Sequence, residues 1–450
     1  MKKLQKKAIL DLMSLLSQLT FKMRQLQNAQ DLASVQMILQ TVQQQLRNLS
    51  GQVRESEGDC DIAEVLQILA DSAPEMTADD LGEAIESVRM DIRESIRANR
   101  EMVFLPYKAA MWDSLESIYL AAKEDPTLDL YVVPIPYYEK NADDSYRSLN
   151  YDGALFPTDI PITDYRTFDL KEHHPDVIFV HNIYDDTNFV TCIKEEYHTQ
   201  VLRQYTDLLI YVPYFVTDGH VPETFRDLAG YYNVDYIIAQ GTMQSEDYSP
   251  YIKNKVIPLG SPKFDKVLRT QTHRENLPDD WKPHLREKTI FLNVSLTGFL
   301  THNETMIKKL RYVLGIVREY EDKICLLFRP HPLTEPTLET MRPELLQPYR
   351  DLVADLEQTP NVIVDRTPIP ETAIALSDAY IGEITSSIVP MFYAAEKPIM
   401  ILNFTILGEE EEQPTGGGSI HYPPRDQFAS NLDGTCGEKI YRFAMEKMNA

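Results

Sequence analysis

The stretch TIFLNVSLTGFLTHNETMIKKLRYVLGIVREYEDKICLLFRPHP, residues 289–332, decides the fold. A β-branched and apolar run (289–296) is followed by apolar residues at helical spacing (304–320) and then by a second apolar run (323–332). Strand, helix, strand in this rhythm is the signature of a βαβ unit in a parallel sheet. Towards the C-terminus the rhythm continues with a helix over 337–358, the strand NVIVD (361–365), a helix over 371–376, the strand DAYIGE (378–383), a helix starting near Ser387 and the strand PIMIL (398–402). A Glu- and Gly-rich loop (408–419) and a closing helix (437–447) complete this half.

Towards the N-terminus a polar, Pro-containing stretch, 261–288, reads as a linker, and before it six more strand runs appear: MVFLP, LDLYVVPIP, PDVIFVHN, TDLLIYVPYF, VDYIIAQ and KVIPLG. The expected class is therefore α/β, with two Rossmann-like domains whose strand carboxyl ends face a common cleft. The expected boundaries are 99–260 for an acceptor domain, 261–288 for the linker, 289–436 for a nucleotide-donor domain and 437–450 for the closing helix. Residues 1–98 read as an all-α helical appendage: a long helix or hairpin to about Leu49, a break over 50–59, then helices over 62–70 and 77–97, with Thr77 as a capping residue.

Composition limits the partners. The 450 residues carry a net charge of −25, which disfavours whole-surface binding to nucleic acid and leaves any anionic ligand to a local pocket. The charge is uneven, because residues 1–54 hold eight basic residues against two acids. That half is expected to lie on an anionic membrane surface, to pair with another copy as a homo-oligomer, or to dock on the body as a bundle. Its apolar part is interrupted by Asp11, Ser14, Ser17 and Gln18, so neither a secretory core nor a membrane span is expected. Four scattered cysteines, Cys60, Cys192, Cys325 and Cys436, read as reduced thiols of a cytoplasmic protein, peripheral on the inner face of the cell membrane.

Missing motifs exclude several chemistries. There is no GxxxxGK[ST], no GxGxxG after a strand, no HExxH and no GxSxG. The one Asp-x-Asp, Asp59-Cys60-Asp61, lies in the helical appendage, so no metal and no cofactor is expected. Three segments at strand ends carry the expected chemistry. In LLFRPHPL, Arg329 is expected to grip phosphate oxygens and His331 to donate to a bridging or leaving oxygen, with a structural ion pair as the other role open to Arg329. In GEITSSIVP, Thr385, Ser386 and Ser387 stand where a helix begins, suited to phosphate or to simple capping, and Glu383 is placed to hold a ribose or diol or to stay exposed. In FLNVSLTGF, Ser295, Thr297 and Gly298 permit close approach of a diphosphate. Lys263, in GSPKFD, reaches the cleft or sits in water.

Taken together, LLFRPHPL, TSSIVPMFYAAEKPIMIL and GSPKFD resemble the CDP-glycerol glycerophosphotransferases that build teichoic acids and related wall polymers, over about residues 255–405 and more loosely over 102–254. The resemblance implies a glycosyltransferase-B architecture and metal-independent transfer of glycerol phosphate from CDP-glycerol, or another CDP- or nucleotide-activated donor, to a polyol-phosphate or glycan acceptor, with release of CMP. It places His331 as the phosphate-stabilising histidine, with Arg329, Ser386 and Ser387 around the diphosphate. The family's Trp-His-Gly stretch has no match in IYVPYFVTDGH, so the general base is not carried over. His181 and His220 are substitutes on geometry alone, each with a structural role as the alternative. A nucleotide-sugar glycosyltransferase and a noncatalytic scaffold remain as other readings.

Overall fold

The computed structural model describes residues 1–141, 143–188, 190–270, 277–331, 333–367, 370–384, 386–403 and 423–449. Pro332, Thr385 and the acidic loop 408–419 lie outside the described residues. The chain divides into two compact units: Met1–Met102 with Asp125–Tyr131 and Arg166–Asp176, and the remainder.

The first unit is built on helices α1 (Lys3–Asn28), α2 (Leu32–Glu57), α3 (Asp61–Ser72) and α4 (Ala78–Ser95). Their shared core takes Ile9, Met13, Leu16 and Met23 from α1, Val42, Leu46, Leu49 and Val53 from α2, and Leu81, Ile85, Val88 and Ile92 from α4. The long first stretch is thus a hairpin, turned where Gln30 adopts φ 59° and Asp31 caps α2 by accepting from the Ser34 N–H. The expected break over 50–59 comes late. Apolar spacing carries α2 through Gly51 to Glu57, the buried Ser50 hydroxyl donates to the Ala63 carbonyl at 2.6 Å, and the chain turns only at Gly58, φ 74°. A positive φ there suits glycine, which has no Cβ to clash. Thr77 caps α4 as expected, its Oγ1 accepting from the Asp80 N–H. Several of the basic residues are used internally. Lys6 donates to the carbonyls of Arg93 and Ile96 at the end of α4, Lys3 pairs with Asp176, and Arg24, Arg47 and Arg54 pair with Asp79, Asp71 and Asp59. No helix among the described residues is long and apolar enough to cross a membrane.

Two Rossmann-like sheets follow, as the sequence pattern requires. The strands are β1 (Arg100–Leu105), β2 (Leu128–Val132), β3 (Tyr137–Lys140), β4 (Tyr146–Asn150), β5 (Val177–Val180), β6 (Thr191–Ile193), β7 (Leu208–Tyr211), β8 (Tyr236–Ala239), β9 (Val256–Pro258), β10 (Lys288–Val294), β11 (Ile324–Pro330), β12 (Val362–Val364), β13 (Ala379–Gly382) and β14 (Ile399–Ile401). The first sheet has the order β2-β1-β5-β7-β8-β9 and the second β12-β11-β10-β13-β14. Every pairing in the second sheet is parallel, as are β5-β7-β8-β9. Its central β10 and β11 are buried along most of their length because helices cover both faces. A small antiparallel sheet, β4-β3-β6, is an addition to the expected plan.

The expected linker contains an ordered helix, Pro262–Arg269. Its Asp265 is fully buried and accepts from the Ser117 hydroxyl and from the Cys436 and Gly437 N–H groups at 2.7–2.9 Å. One carboxylate thereby joins the linker to the helix Glu116–Lys123 and to the closing helix Cys436–Met448. The closing helix packs on the first domain: Phe443 lies edge-on to Tyr236, and Gly437 sits so close to Ser117 that a Cβ would fall 2.3 Å from its backbone.

Candidate functional site

In the second sheet the chain order reverses between β10 and β13, which lie side by side. At such a switch point the connections leave on opposite faces and a crevice opens beyond the strand carboxyl ends. Asn293, near the end of β10, organises that edge. Its Nδ2–H donates to the Arg329 carbonyl at 2.8 Å, and its Oδ1 accepts from the Ser386 hydroxyl at 2.6 Å. One buried amide thus fixes the ends of β11 and of the β13 loop relative to β10. Ser386 also accepts from the Ile388 N–H, and Ser387 beside it is exposed. Ser295 caps the short helix Leu296–His302 by accepting from the Gly298 N–H, while its own N–H donates to the Glu383 carboxylate. Glu383 therefore lies over Gly298, where a Cβ would come within 2.1 Å of Oε1. A Cβ there would have to push the Glu383 carboxylate aside, and that carboxylate stands where the close approach of a diphosphate was expected.

Arg329 and His331 line a pocket of about 320 Å³ at the ends of β11 and β12, with Thr334, Tyr349, Asp365 and Arg366 among its walls. Arg329 makes the ion pair that was left open for it. Its guanidinium pairs with Asp365, which is wholly buried, and donates to the Thr367 hydroxyl at 3.1 Å and carbonyl at 2.8 Å. His331 is differently placed. Its Nδ1 accepts from the Leu333 N–H at 3.2 Å, which puts the ring proton on Nε2. Although the ring is exposed at the pocket edge, its partial desolvation there holds its pKa below the usual imidazole value, so at neutral pH it is an uncharged Nε2–H donor.

The first domain separates its two histidines by role. His181 ends β5 at that sheet's own switch point, yet it is fully buried. Nε2 accepts from the Tyr107 N–H at 3.0 Å, and Nδ1 lies 3.0 Å from the Ser114 hydroxyl, which itself donates to the Met111 carbonyl. Both ring nitrogens are committed, and burial pushes the pKa down to about 3, so His181 ties β1 to β5 as a neutral core group. His220, in the loop after β7, is half exposed and forms a dyad, its Nδ1–H donating to Asp247 Oδ2 at 3.0 Å. Asp247 is fixed in turn by the Val221 N–H at 2.8 Å and by Arg226. An oriented imidazole with Nε2 open is the arrangement of a general base. Lys263 pairs with Asp113, both nearly buried, and does not extend into water.

Asn293, Asp247, Asp365 and Asp113 were not anticipated. Only Asn293 left a signal, a polar residue inside the apolar run 289–296. Among the described residues, no group of three or more His, Cys, Asp or Glu side chains is arranged to hold a metal.

No protein-family model matches the chain, and no curated protein does. Among solved structures it is similar to the UDP-GlcNAc 2-epimerase of Methanocaldococcus jannaschii, at 11% identity over 77% of this chain and 99% of that one, with TM-score 0.48. It is also similar to S. aureus MnaA with UDP (12% identity, 78% and 97% coverage, TM-score 0.48) and to the wall teichoic acid polymerase TagF (11% identity, 86% and 98% coverage, TM-score 0.44). At these values the likenesses assign no activity.

Proposed function

We propose that the chain is a glycerophosphotransferase that takes glycerol phosphate from CDP-glycerol, or from a closely related CDP-activated polyol, passes it to a hydroxyl acceptor of a surface polymer and releases CMP. The observation that carries this reading is His331: a neutral imidazole with its proton fixed on Nε2, set at a strand carboxyl end on the wall of a pocket it shares with Arg366. A preorganised N–H donor aimed at a phosphoryl oxygen stabilises the charge that gathers there as the bond to the leaving nucleotide breaks. The His220–Asp247 dyad is the base in this proposal, taking the acceptor proton on Nε2. The resemblance of 326–333, 385–402 and 260–265 to the CDP-glycerol enzymes supports the donor. The test is a thermal-shift panel of CMP, CDP-glycerol, CDP-ribitol, UDP and UDP-sugars, because a ligand that binds only the native state raises the unfolding temperature. Stabilisation by cytidine ligands over uridine ligands is expected; the reverse order moves the reading to a nucleotide-sugar transferase.

A noncatalytic scaffold is favoured by one specific observation: Asp365 occupies the Arg329 guanidinium, and Glu383 occupies the Ser295 amide. Two groups expected to receive phosphate are satisfied by the protein itself. Tight CMP binding without turnover of any donor would select this reading. Peripheral attachment to an anionic membrane belongs to the same proposal, supported by the exposed apolar side chains Leu15, Phe21, Leu32 and Met37 on α1 and α2. Co-sedimentation with anionic but not neutral vesicles is the outcome it requires.

A further inference from the structure

Five ionisable side chains meet where the linker helix Pro262–Arg269 passes between the two Rossmann-like domains. Asp113 and Glu116 come from the first domain, Lys263 and Lys266 from the linker helix, and Glu371 from the start of the second-domain helix Glu371–Leu376. Lys263 pairs with Asp113, and Lys266 with Glu116 at 2.8 Å. Glu371 is 2% exposed and is left without a cation of its own. Three carboxylates against two ammonium groups leave one negative charge too many for a buried site, and one proton would remove it.

The unpaired atoms show where that proton belongs. Among the described residues, Glu371 Oε2 and Asp113 Oδ1 are both buried and have no hydrogen-bond partner. Two ionised carboxylates only accept, so they cannot satisfy each other. A protonated carboxyl is neutral and can donate, so one proton on Glu371 removes the surplus charge from the cluster. Burial of Glu371 and, after it, the field from Asp113 hold the Glu371 carboxyl above its ordinary value of 4.5, while a backbone hydrogen bond at Glu371 itself and the charges of Lys266 and Lys263 only partly oppose them.

We propose that Glu371 holds a proton in the folded protein, and that this proton is a pH-sensitive latch fastening the second-domain helix Glu371–Leu376 to the first domain and its linker helix. The other charged groups facing the pair are engaged elsewhere. Asp265 accepts from Ser117, Cys436 and Gly437, Lys397 donates to the carbonyls of Ile374, Ala375 and Ser377 at the far end of the helix, and His181, near Lys263, stays neutral. The sign follows. A carboxyl whose folded pKa is raised contributes stability that is complete below its unfolded value and is lost as pH rises through the folded value. Raising the pH therefore ionises Glu371, leaves the cluster with one uncompensated negative charge and loosens the interface between the domains.

The experiment is an infrared titration of the wild type, Glu371→Gln and Asp113→Asn, with thermal unfolding followed over the same range, from pH about 4 to 9. In the wild type a protonated-carboxyl band is expected to persist above the ordinary carboxylate range, and the unfolding temperature is expected to fall as that band disappears. Glu371→Gln keeps a neutral donor, so it should lose the band together with the accompanying fall in stability. Asp113→Asn should lose the band at a lower pH than the wild type, because the Asp113 charge that helps hold the Glu371 carboxyl high is gone. A wild-type spectrum with no such band overturns the proposal without reference to any variant. So does a Glu371→Gln protein whose stability falls with pH in parallel with the wild type.

Discussion

Replacing Arg329 by alanine tests whether its guanidinium is a ligand group or a structural one. The substitution leaves Asp365, wholly buried, without its counter-charge. Removing one partner of a buried pair typically costs 3–5 kcal/mol, because the remaining charge is stranded in a low dielectric. Here Asp365 keeps two hydrogen bonds, from the Thr367 N–H at 2.8 Å and the Thr367 hydroxyl at 2.6 Å, which argues for the lower end, about 3 kcal/mol. Removing both charges together, as Arg329→Met with Asp365→Leu, should recover most of that loss, since a buried pair and well-packed apolar replacements often differ little. Denaturant unfolding of the single and double variants measures this directly, with a probe in the second domain. A stable Arg329→Ala protein, within about 0.5 kcal/mol of wild type, that has nonetheless lost nucleotide affinity would refute the structural assignment and return Arg329 to the phosphate.

Three further outcomes follow from the same geometry. Gly298→Ala should displace Glu383, since the new Cβ would lie 2.1 Å from Oε1; adding Glu383→Ala should restore the stability lost, and recovery is read from the unfolding midpoint. Asn293→Ala removes the bonds to Arg329 and Ser386 and should cost about 2–4 kcal/mol, with two buried polar groups left unpaired; hydrogen exchange at the β10 and β11 carboxyl ends should accelerate. His181, neutral in the fold down to about pH 3, contributes stability that is lost as pH falls from the ordinary histidine value towards 3, roughly 4–5 kcal/mol in full. His181→Gln should remove that slope while leaving any transfer activity in place, whereas a specific loss of turnover in a stable variant would count against the core assignment.

What was legible in the sequence was set by periodicity. The apolar runs within 100–105, 177–180, 208–211, 288–294 and 324–330 could be read because parallel strands covered on both faces carry few polar positions to blur them. The β4-β3-β6 sheet was missed because runs such as YRSLN are short, polar and partly exposed, which is also the texture of a loop. Gly51 suggested a break that packing overrode, because Val53 and the bonded Ser50 hold α2 in the core. The site was legible in its residues but not in their partners. Arg329 meets an aspartate 36 positions away, at the end of a neighbouring parallel strand, and His220 meets one 27 positions away. No local spacing encodes such pairs, and they decide whether a cation is held by a carboxylate and whether an imidazole is oriented as a base.

In the proposed reaction His331 donates from Nε2 to a phosphoryl oxygen of a cytidine diphosphate donor. That role is tested most directly by CMP release from CDP-glycerol, measured for wild type and His331→Ala at matched stability. Turnover is expected to fall by roughly 10²-fold or more while the unfolding temperature stays within a few degrees, since one preorganised donor removed from a developing charge costs about 3 kcal/mol. A folded His331→Ala protein that releases CMP at the wild-type rate would contradict it.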